Sequence, residues 1–313
     1  LVASRAPYGI RPLVLGRREG ADGVEYMVAS ESVALDVVGF EFMRDVAPGE
    51  AVYITEDGEL FTQQCADNPV HCPCIFEYVY FSRPDSQIFG HAVDKVRRRL
   101  GKTLAEEAPV GSAEQDERVV VTAVPDSSNT ATLGFARVNA EVGAPRTRHE
   151  IALIRSHYIG RTFISPGQQN REIKVRAKFN VVRGVLAGQR VAMVDDSIVR
   201  GTTARALVKM LRQAEPKQVH LRISSPPITH PCLYGMDFPS REELIANRYD
   251  LDVEKIREAL GVDSLEYLSK EGLLASVPEE EGVGYCTACF TGDYPVPIES
   301  GATKLAYEEA DSA

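Results

Sequence analysis

The chain has 313 residues, enough for about two domains or one large one. It carries 35 Lys and Arg against 45 Asp and Glu, a net charge of −10, which excludes a nucleic-acid-coating protein and leaves no reason to expect a nucleic-acid partner. At 44% hydrophobic and 26% charged it is too apolar for disorder, and no apolar run approaches the ~20 residues of a membrane span, so no membrane partner is expected.

The first residues, from Leu1, show no charged segment followed by an apolar one, so no signal peptide is expected, and a start without Met reads as a processed or partial chain. Residues 1–63 read as short strands and turns. Strand-like runs at 13–16, 26–29 and 51–54 are separated by Asp22-Gly23, Pro48-Gly49 and Asp57-Gly58, with one short helix at 32–37. After a Pro- and Cys-containing connection at 68–73, helices alternate with β-branched strands. Helices are predicted at 88–106, 131–141 and 202–214, and strands at 119–124, 151–155, 191–194 and 219–224. That alternation predicts βαβ units and a mainly parallel sheet. A polar stretch at 161–178, broken by Pro166-Gly167, reads as a long loop, of the kind that is either a functional lid or disordered. Helices are predicted at 241–247, 253–260 and 264–272, followed by an acidic tail beyond 297.

The run Val191-Ala-Met-Val-Asp-Asp-Ser-Ile-Val-Arg-Gly-Thr-Thr203 is the most informative. An apolar strand ends in two acids, then a Gly/Thr turn leads into a helix whose apolar residues Ala204, Leu207, Val208 and Leu211 share one face. Free N–H groups and the helix dipole at that turn form a phosphate cradle, and paired acids suit ribose hydroxyls or hydrated Mg2+. The Gly-Lys-Ser/Thr element of a Walker loop is missing. A basic loop with Arg161, Arg171, Lys174, Arg176 and Lys178 suits a lid over a polyanion. Six cysteines are too sparse for a disulfide scaffold. A reducing cytoplasm with some thiols as metal ligands is expected, with buried structural thiols as the alternative. Cys286-Thr-Ala-Cys289 alone is compatible with zinc, iron–sulfur or nothing. The six histidines show no ligand spacing and read as structural.

These motifs resemble the type I phosphoribosyltransferases. Cys74-Ile-Phe-Glu-Tyr-Val-Tyr-Phe-Ser-Arg-Pro-Asp-Ser86, Val124-Pro-Asp-Ser-Ser128, Tyr158-Ile-Gly-Arg-Thr-Phe-Ile164 and Ser224-Ser-Pro-Pro-Ile228, in that order around the acidic motif, are similar to the glutamine phosphoribosylpyrophosphate amidotransferases. The resemblance implies an α/β fold of that type, a mainly parallel sheet flanked by helices, preceded by the trailing part of an N-terminal-nucleophile glutaminase domain. Implied domains are 1–63 (glutaminase remnant), 64–297 (phosphoribosyltransferase with the cysteines) and a 298–313 tail. It implies synthesis of phosphoribosylamine from phosphoribosylpyrophosphate and ammonia, glutamine-derived in the complete enzyme, at the first step of purine synthesis. Asp195 and Asp196 would contact the ribose hydroxyls and, with Ser127, hold Mg2+. Asp126, Ser127 and Ser128 would receive pyrophosphate, and Arg200, Gly201, Thr202 and Thr203 the 5′-phosphate. Arg161 and Lys178 would be cations of a loop spanning 155–178. Cys74, Cys232, Cys286 and Cys289 would hold a structural [4Fe–4S] cluster, with zinc as runner-up, while Cys65 and Cys72 remain plain thiols. A homo-oligomer inhibited by purine nucleotides is also implied. The family's N-terminal catalytic cysteine is absent, so glutamine hydrolysis by this chain is not expected. In Ser4-Arg-Ala-Pro-Tyr-Gly-Ile-Arg-Pro12, Ala6 stands where the family usually has Asp. A non-catalytic phosphoribosylpyrophosphate-binding regulator is the alternative from another class. Charge disfavours a DNA-binding form of it, and a salvage enzyme is disfavoured by length and by the glutaminase remnant.

Overall fold

The computed structural model describes residues 1–21, 23–112, 118–156 and 177–298. They form two compact units. The first comprises Leu1–Ile75, Thr229–Arg241 and the described part of Glu280–Ala313; the second comprises Phe76–Ile228 and Glu242–Glu279. The expected boundary at 63/64 falls inside the first unit.

The first unit opens with β1 (Val2–Ser4), β2 (Val14–Gly20), β3 (Gly23–Ala29), α1 (Ser32–Val37), β4 (Glu41–Asp45), β5 (Glu50–Ile54) and β6 (Leu60–Gln64). Two antiparallel three-stranded sheets result, ordered β3-β2-β4 and β1-β5-β6. Leu15, Val46, Val52 and Ile54 make their shared core. Arg5 is buried, and its fork donates to the carbonyls of Arg11 (3.0 Å), Val46 (2.6 Å) and Gly9 (2.6 Å). Residues 2–4, 41–45 and 60–64 carried no strand signal: β1 is three residues long and β6 is a mostly exposed edge.

The second unit begins with a π-helical turn at Glu77–Phe81, then β7 (Gln87–Ile88), β8 (His91–Ala92), α2 (Val93–Glu107), β9 (Val119–Ala123), α3 (Asn129–Val142), β10 (Thr147–His149), β11 (Leu153–Arg155), β12 (Phe179–Val181), α4 (Arg183–Leu186), β13 (Arg190–Asp195), α5 (Thr202–Arg212), β14 (Gln218–Ile223), α6 (Ile245–Arg248), α7 (Val253–Leu260), β15 (Ser264–Tyr267) and α8 (Lys270–Ser276). Five strands form one sheet, β10-β9-β13-β14-β15, with every pairing parallel. Its central strands are apolar on both faces, as a sheet covered on both sides requires. α2 and α3 cross backbone to backbone at two glycines. A Cβ on Gly101 would lie 1.8 Å from the Ala131 carbonyl oxygen, and one on Gly134 would lie 2.1 Å from that of Arg98.

Four expectations are corrected here. The helix predicted from 88 starts at Val93, because Phe89 and Gly90, at φ 48° and 77°, turn a β7–β8 hairpin first. The strand predicted at 151–155 does not join the parallel sheet. β11 pairs antiparallel with β12, and the sheet edge is instead β10, whose Thr-Arg-His sequence has no apolar signal. The helix at 264–272 is a strand followed by a helix: β15 pairs with β14 and buries Leu265, and α8 begins after the Ser269 cap. The helix at 241–247 breaks into a 3-10 turn, Arg241–Glu243, and α6.

The first unit is completed by the segments around Cys232 and Cys286, the latter followed by a short helix, α9 (Ala288–Thr291). Cys74 and Cys286 face each other in an isolated parallel bridge, locked by the Cys286 N–H donating to the Pro73 carbonyl (2.9 Å). Among the described residues, no helix is long and apolar enough to cross a membrane.

Candidate active site

The carboxyl ends of β9 and β13, adjacent in the sheet, place two turns side by side. β9 runs into Val124-Pro-Asp-Ser-Ser128 and α3; β13 runs into Asp195, Asp196 and the loop before α5. The Val124 N–H donates to the Val194 carbonyl (2.9 Å), carrying the pairing to the last residues before each turn. The Pro125–Asp126 peptide is cis.

Ser128, fully buried, donates its hydroxyl to Asp195 Oδ1 (3.1 Å) and reaches Asp196 Oδ2 at 3.5 Å. Ser127 hydrogen-bonds Asp196, as does Ser197 (2.6 Å). Asp195 also accepts from the Asp196 backbone N–H (2.9 Å). The predicted acids and the predicted Asp126–Ser128 turn are thus brought together. Both acids are buried, and burial pushes both carboxyls up. For Asp195 the second cause is the neighbouring charge of Asp196. For Asp196 the hydroxyls of Ser127 and Ser197 and the positive charge of Arg97 pull the other way. Two carboxylates forced together out of water, with hydroxyls beside them, form a donor set suited to a hard divalent cation. Among the described residues, no group of three or more His, Cys, Asp or Glu side chains stands in a metal-holding arrangement. The acids alone supply two such ligands.

Gly201 caps α5 in the left-handed region at φ 75°, and a Cβ there would lie 2.4 Å from Ile245 Cδ1. Only glycine satisfies both conditions, so the loop can wrap closely and leave the N–H groups of Thr202 and Thr203 at the helix start. Arg200 forms a two-pronged pair with Glu243 (3.0 and 3.3 Å), a partner 43 residues away that no motif foretold. Asp126 pairs with Arg155 at 2.6 Å, at the root of the predicted loop. Lys178 lies beside β12, its carbonyl accepting from the Ser156 N–H (2.7 Å) and its ammonium 5.5 Å from the Phe179 ring centroid. Arg161 and the loop cations Arg171, Lys174 and Arg176 lie outside the described residues, as does the tail beyond 298.

One residue escaped the sequence reading. Arg97, on α2, is 1% exposed and donates to the carbonyls of Tyr78 (2.7 Å), Ser82 (2.6 Å) and Ser127 (3.4 Å). In Lys95-Val-Arg-Arg-Arg99 nothing distinguishes it from its exposed neighbour Arg98, except that it falls on the helix face of Val93, Val96, Leu100 and Leu104.

The four predicted cluster thiols gather in the first unit. Cys289 is pushed well up by burial and then by Cys74, Cys232 and Cys286, and Cys286 is raised by burial and Cys232. Cys232 accepts from the Tyr234 N–H (3.3 Å). Cys72 packs against Cys286 and Ala288 and is pushed up to about 11 by burial and then Cys286. Cys74, Cys286 and Cys289 are buried and Cys232 is half-buried. Thiolates are ligands chemically suited to a thiophilic cation or an iron–sulfur cluster, but among the described residues these four do not stand in a metal-holding arrangement.

No family model matches the chain. It is 46% identical over 310 residues to the amidophosphoribosyltransferase of Synechococcus elongatus, covering 98% of this chain and 60% of that protein. With the Bacillus subtilis amidophosphoribosyltransferase the figures are 47% over 301 residues, 95% and 59%, and with that of Archaeoglobus fulgidus 50% over 299 residues, 95% and 61%. Two solved structures align over 96% of the chain. The allosteric regulatory enzyme of purine biosynthesis does so at TM-score 0.81 and 46% identity, and the B. subtilis glutamine phosphoribosylpyrophosphate amidotransferase, in complex with ADP and GMP, at 0.80 and 44%. The chain covers 62% and 63% of those two and spans about three-fifths of the curated relatives' length.

Proposed function

The chain belongs to the amidophosphoribosyltransferase family over the stretch the two share, and on that premise we propose that it transfers the phosphoribosyl group of phosphoribosylpyrophosphate to ammonia, releasing pyrophosphate, as the opening step of purine synthesis. The observation that carries this is the convergence of Ser127 and Ser128 on Asp195 and Asp196 beside the Gly201 turn. That convergence supports reading the 126–128 turn and the α5 start as anion receivers, and the acids between them as a cation site, at one sheet edge.

In this reading Asp195 and Asp196 hold the ribose hydroxyls and, with Ser127, Mg2+. When bound, Mg2+ would neutralise charge on the departing pyrophosphate. The Asp126–Ser128 turn receives the pyrophosphate, while Arg200, Gly201, Thr202 and Thr203 hold the 5′-phosphate. Release of Arg200 from Glu243 would free a guanidinium for that phosphate. The ribose C1–O bond to pyrophosphate breaks as ammonia's nitrogen bonds to C1 and sheds a proton. Positive charge builds on the sugar and negative charge on the leaving group, so fixed anion donors accelerate the step without a side-chain nucleophile. Arg161 and Lys178 are assigned as cations facing the leaving group, and water must be kept from C1.

Cys74, Cys232, Cys286 and Cys289 are proposed to hold a [4Fe–4S] cluster of structural role, since the transfer moves no electrons. The complete enzyme would take ammonia from glutamine. Purine nucleotides as inhibitors, a homo-oligomer and a cytoplasmic setting complete the proposal; support for nucleotide regulation comes from the ADP- and GMP-bound relative.

Calorimetric titration with phosphoribosylpyrophosphate and Mg2+ tests the site. Saturable one-site binding by the chain, lost in Asp195→Asn and Asp196→Asn variants that keep their circular dichroism, supports it; equal binding by all three overturns it.

A further inference from the structure

We propose that Arg97 is a positioning residue that holds the Asp126–Ser128 turn in register for pyrophosphate, acting through the carbonyl of Ser127 rather than on the substrate. The inference rests on the reading of that turn as the pyrophosphate receiver.

Arg97 is among the largest fully buried side chains of the chain. A guanidinium so buried needs its donors satisfied by oxygens in fixed directions, and its planar fork can do this for several carbonyls at once. Two of the bonds are tight, 2.7 Å to Tyr78 and 2.6 Å to Ser82, carbonyls within and just beyond the π-helical turn Glu77–Phe81. They fix the guanidinium to the scaffold. The contact to Ser127 is longer, 3.4 Å, and reaches the middle residue of the turn from the same anchored guanidinium.

The neighbouring bonds point to the same role. Ser127 and Ser128, both in this turn, reach the acid pair through their hydroxyls, and Thr132 fastens the Ser128 carbonyl at 2.7 Å from the first turn of α3. The turn is thereby held from the sheet side by the acids, from α3 by Thr132 and from α2 by Arg97. Removing the α2 hold would let the Ser127 peptide tilt, moving the N–H groups and hydroxyls that meet pyrophosphate. The Gly201 turn that receives the 5′-phosphate follows a different strand. A local role for Arg97 therefore separates the two phosphate subsites, whereas a general packing role does not.

The full chain and its Arg97→Lys and Arg97→Met variants would be titrated with Mg-pyrophosphate and, separately, with ribose 5-phosphate, each with a melting curve. Lysine keeps the charge but cannot fork; methionine keeps much of the length but carries no donor. Pyrophosphate affinity is expected to fall roughly tenfold in Arg97→Lys and further in Arg97→Met, with ribose 5-phosphate affinity within about twofold of the parent. Parallel loss for both ligands, unchanged pyrophosphate binding, or failure of both variants to fold would overturn the proposal, because each denies a role separable from packing. If the parent chain itself binds no pyrophosphate, it is the reading of the turn that fails, and with it the premise.

Discussion

Ser128, at the start of α3, donates its hydroxyl to Asp195, at the end of β13, across 3.1 Å. This one bond ties the turn of one βα unit to the acids of the next. Loss of the hydroxyl leaves a buried carboxyl short of a donor. Ser128→Ala is expected to cost about 1–3 kcal/mol of stability, read by urea unfolding, and to lower phosphoribosylpyrophosphate affinity. A variant as stable as the parent, with full affinity, would show that the two turns are not coupled through this bond.

Asp195→Asn and Asp196→Asn should each lower turnover by roughly two orders of magnitude or more, because a buried anion that meets the substrate or its cation is lost while the shape is kept. Steady-state kinetics at saturating Mg2+ would measure it; near-parental rates would remove these residues from the chemistry.

Gly201→Ala places a Cβ at φ 75° and 2.4 Å from Ile245 Cδ1. Strain of about 1–2 kcal/mol is expected in the melting curve, with a raised KM for phosphoribosylpyrophosphate, since the loop must shift to relieve the clash. Ile245→Ala in the same chain should recover part of the loss, leaving only the cost of the positive φ.

His220 carries a pH prediction. Burial first, then the positive charge of Arg222, depresses it from 6.5 to about 4. The folded chain therefore binds fewer protons than the unfolded one between these values. Its contribution to stability is present above about 6.5 and is lost as pH falls towards 4. Unfolding free energy should fall across that window, by at most about 3 kcal/mol from this group, and His220→Gln should flatten the acid limb. An unchanged slope would mean that His220 titrates alike in both states.

Iron and acid-labile sulfide assays on anaerobically purified chain test the thiol proposal. Cluster absorbance is expected in the parent, and its loss together with a lower melting temperature in Cys286→Ser. Zinc in place of iron would redirect the assignment to the runner-up, and neither metal would remove it.

The site was legible where chemistry and period coincide. β13 is apolar until it stops at two acids, and the glycine that follows must cap a helix, so position and role could be read together. β10 was not legible because an edge strand of Thr, Arg and His needs no apolar pattern, and β15 was misread because a four-residue run resembles the start of a helix until its partner is known. Arg97 was hidden for a different reason. An arginine beside two other basic residues looks solvated, and only the packing of α2 shows that this one is sealed inside. The gathering of Cys74, Cys232, Cys286 and Cys289 joins positions more than two hundred residues apart, which spacing cannot reveal.

The most direct test is pyrophosphate release from phosphoribosylpyrophosphate under argon, with and without Mg2+ and with and without ammonium chloride. Release that needs Mg2+ and rises with ammonia is the expected result. No release with ammonia, in a chain that still binds phosphoribosylpyrophosphate, would contradict the transferase assignment and leave a binding module.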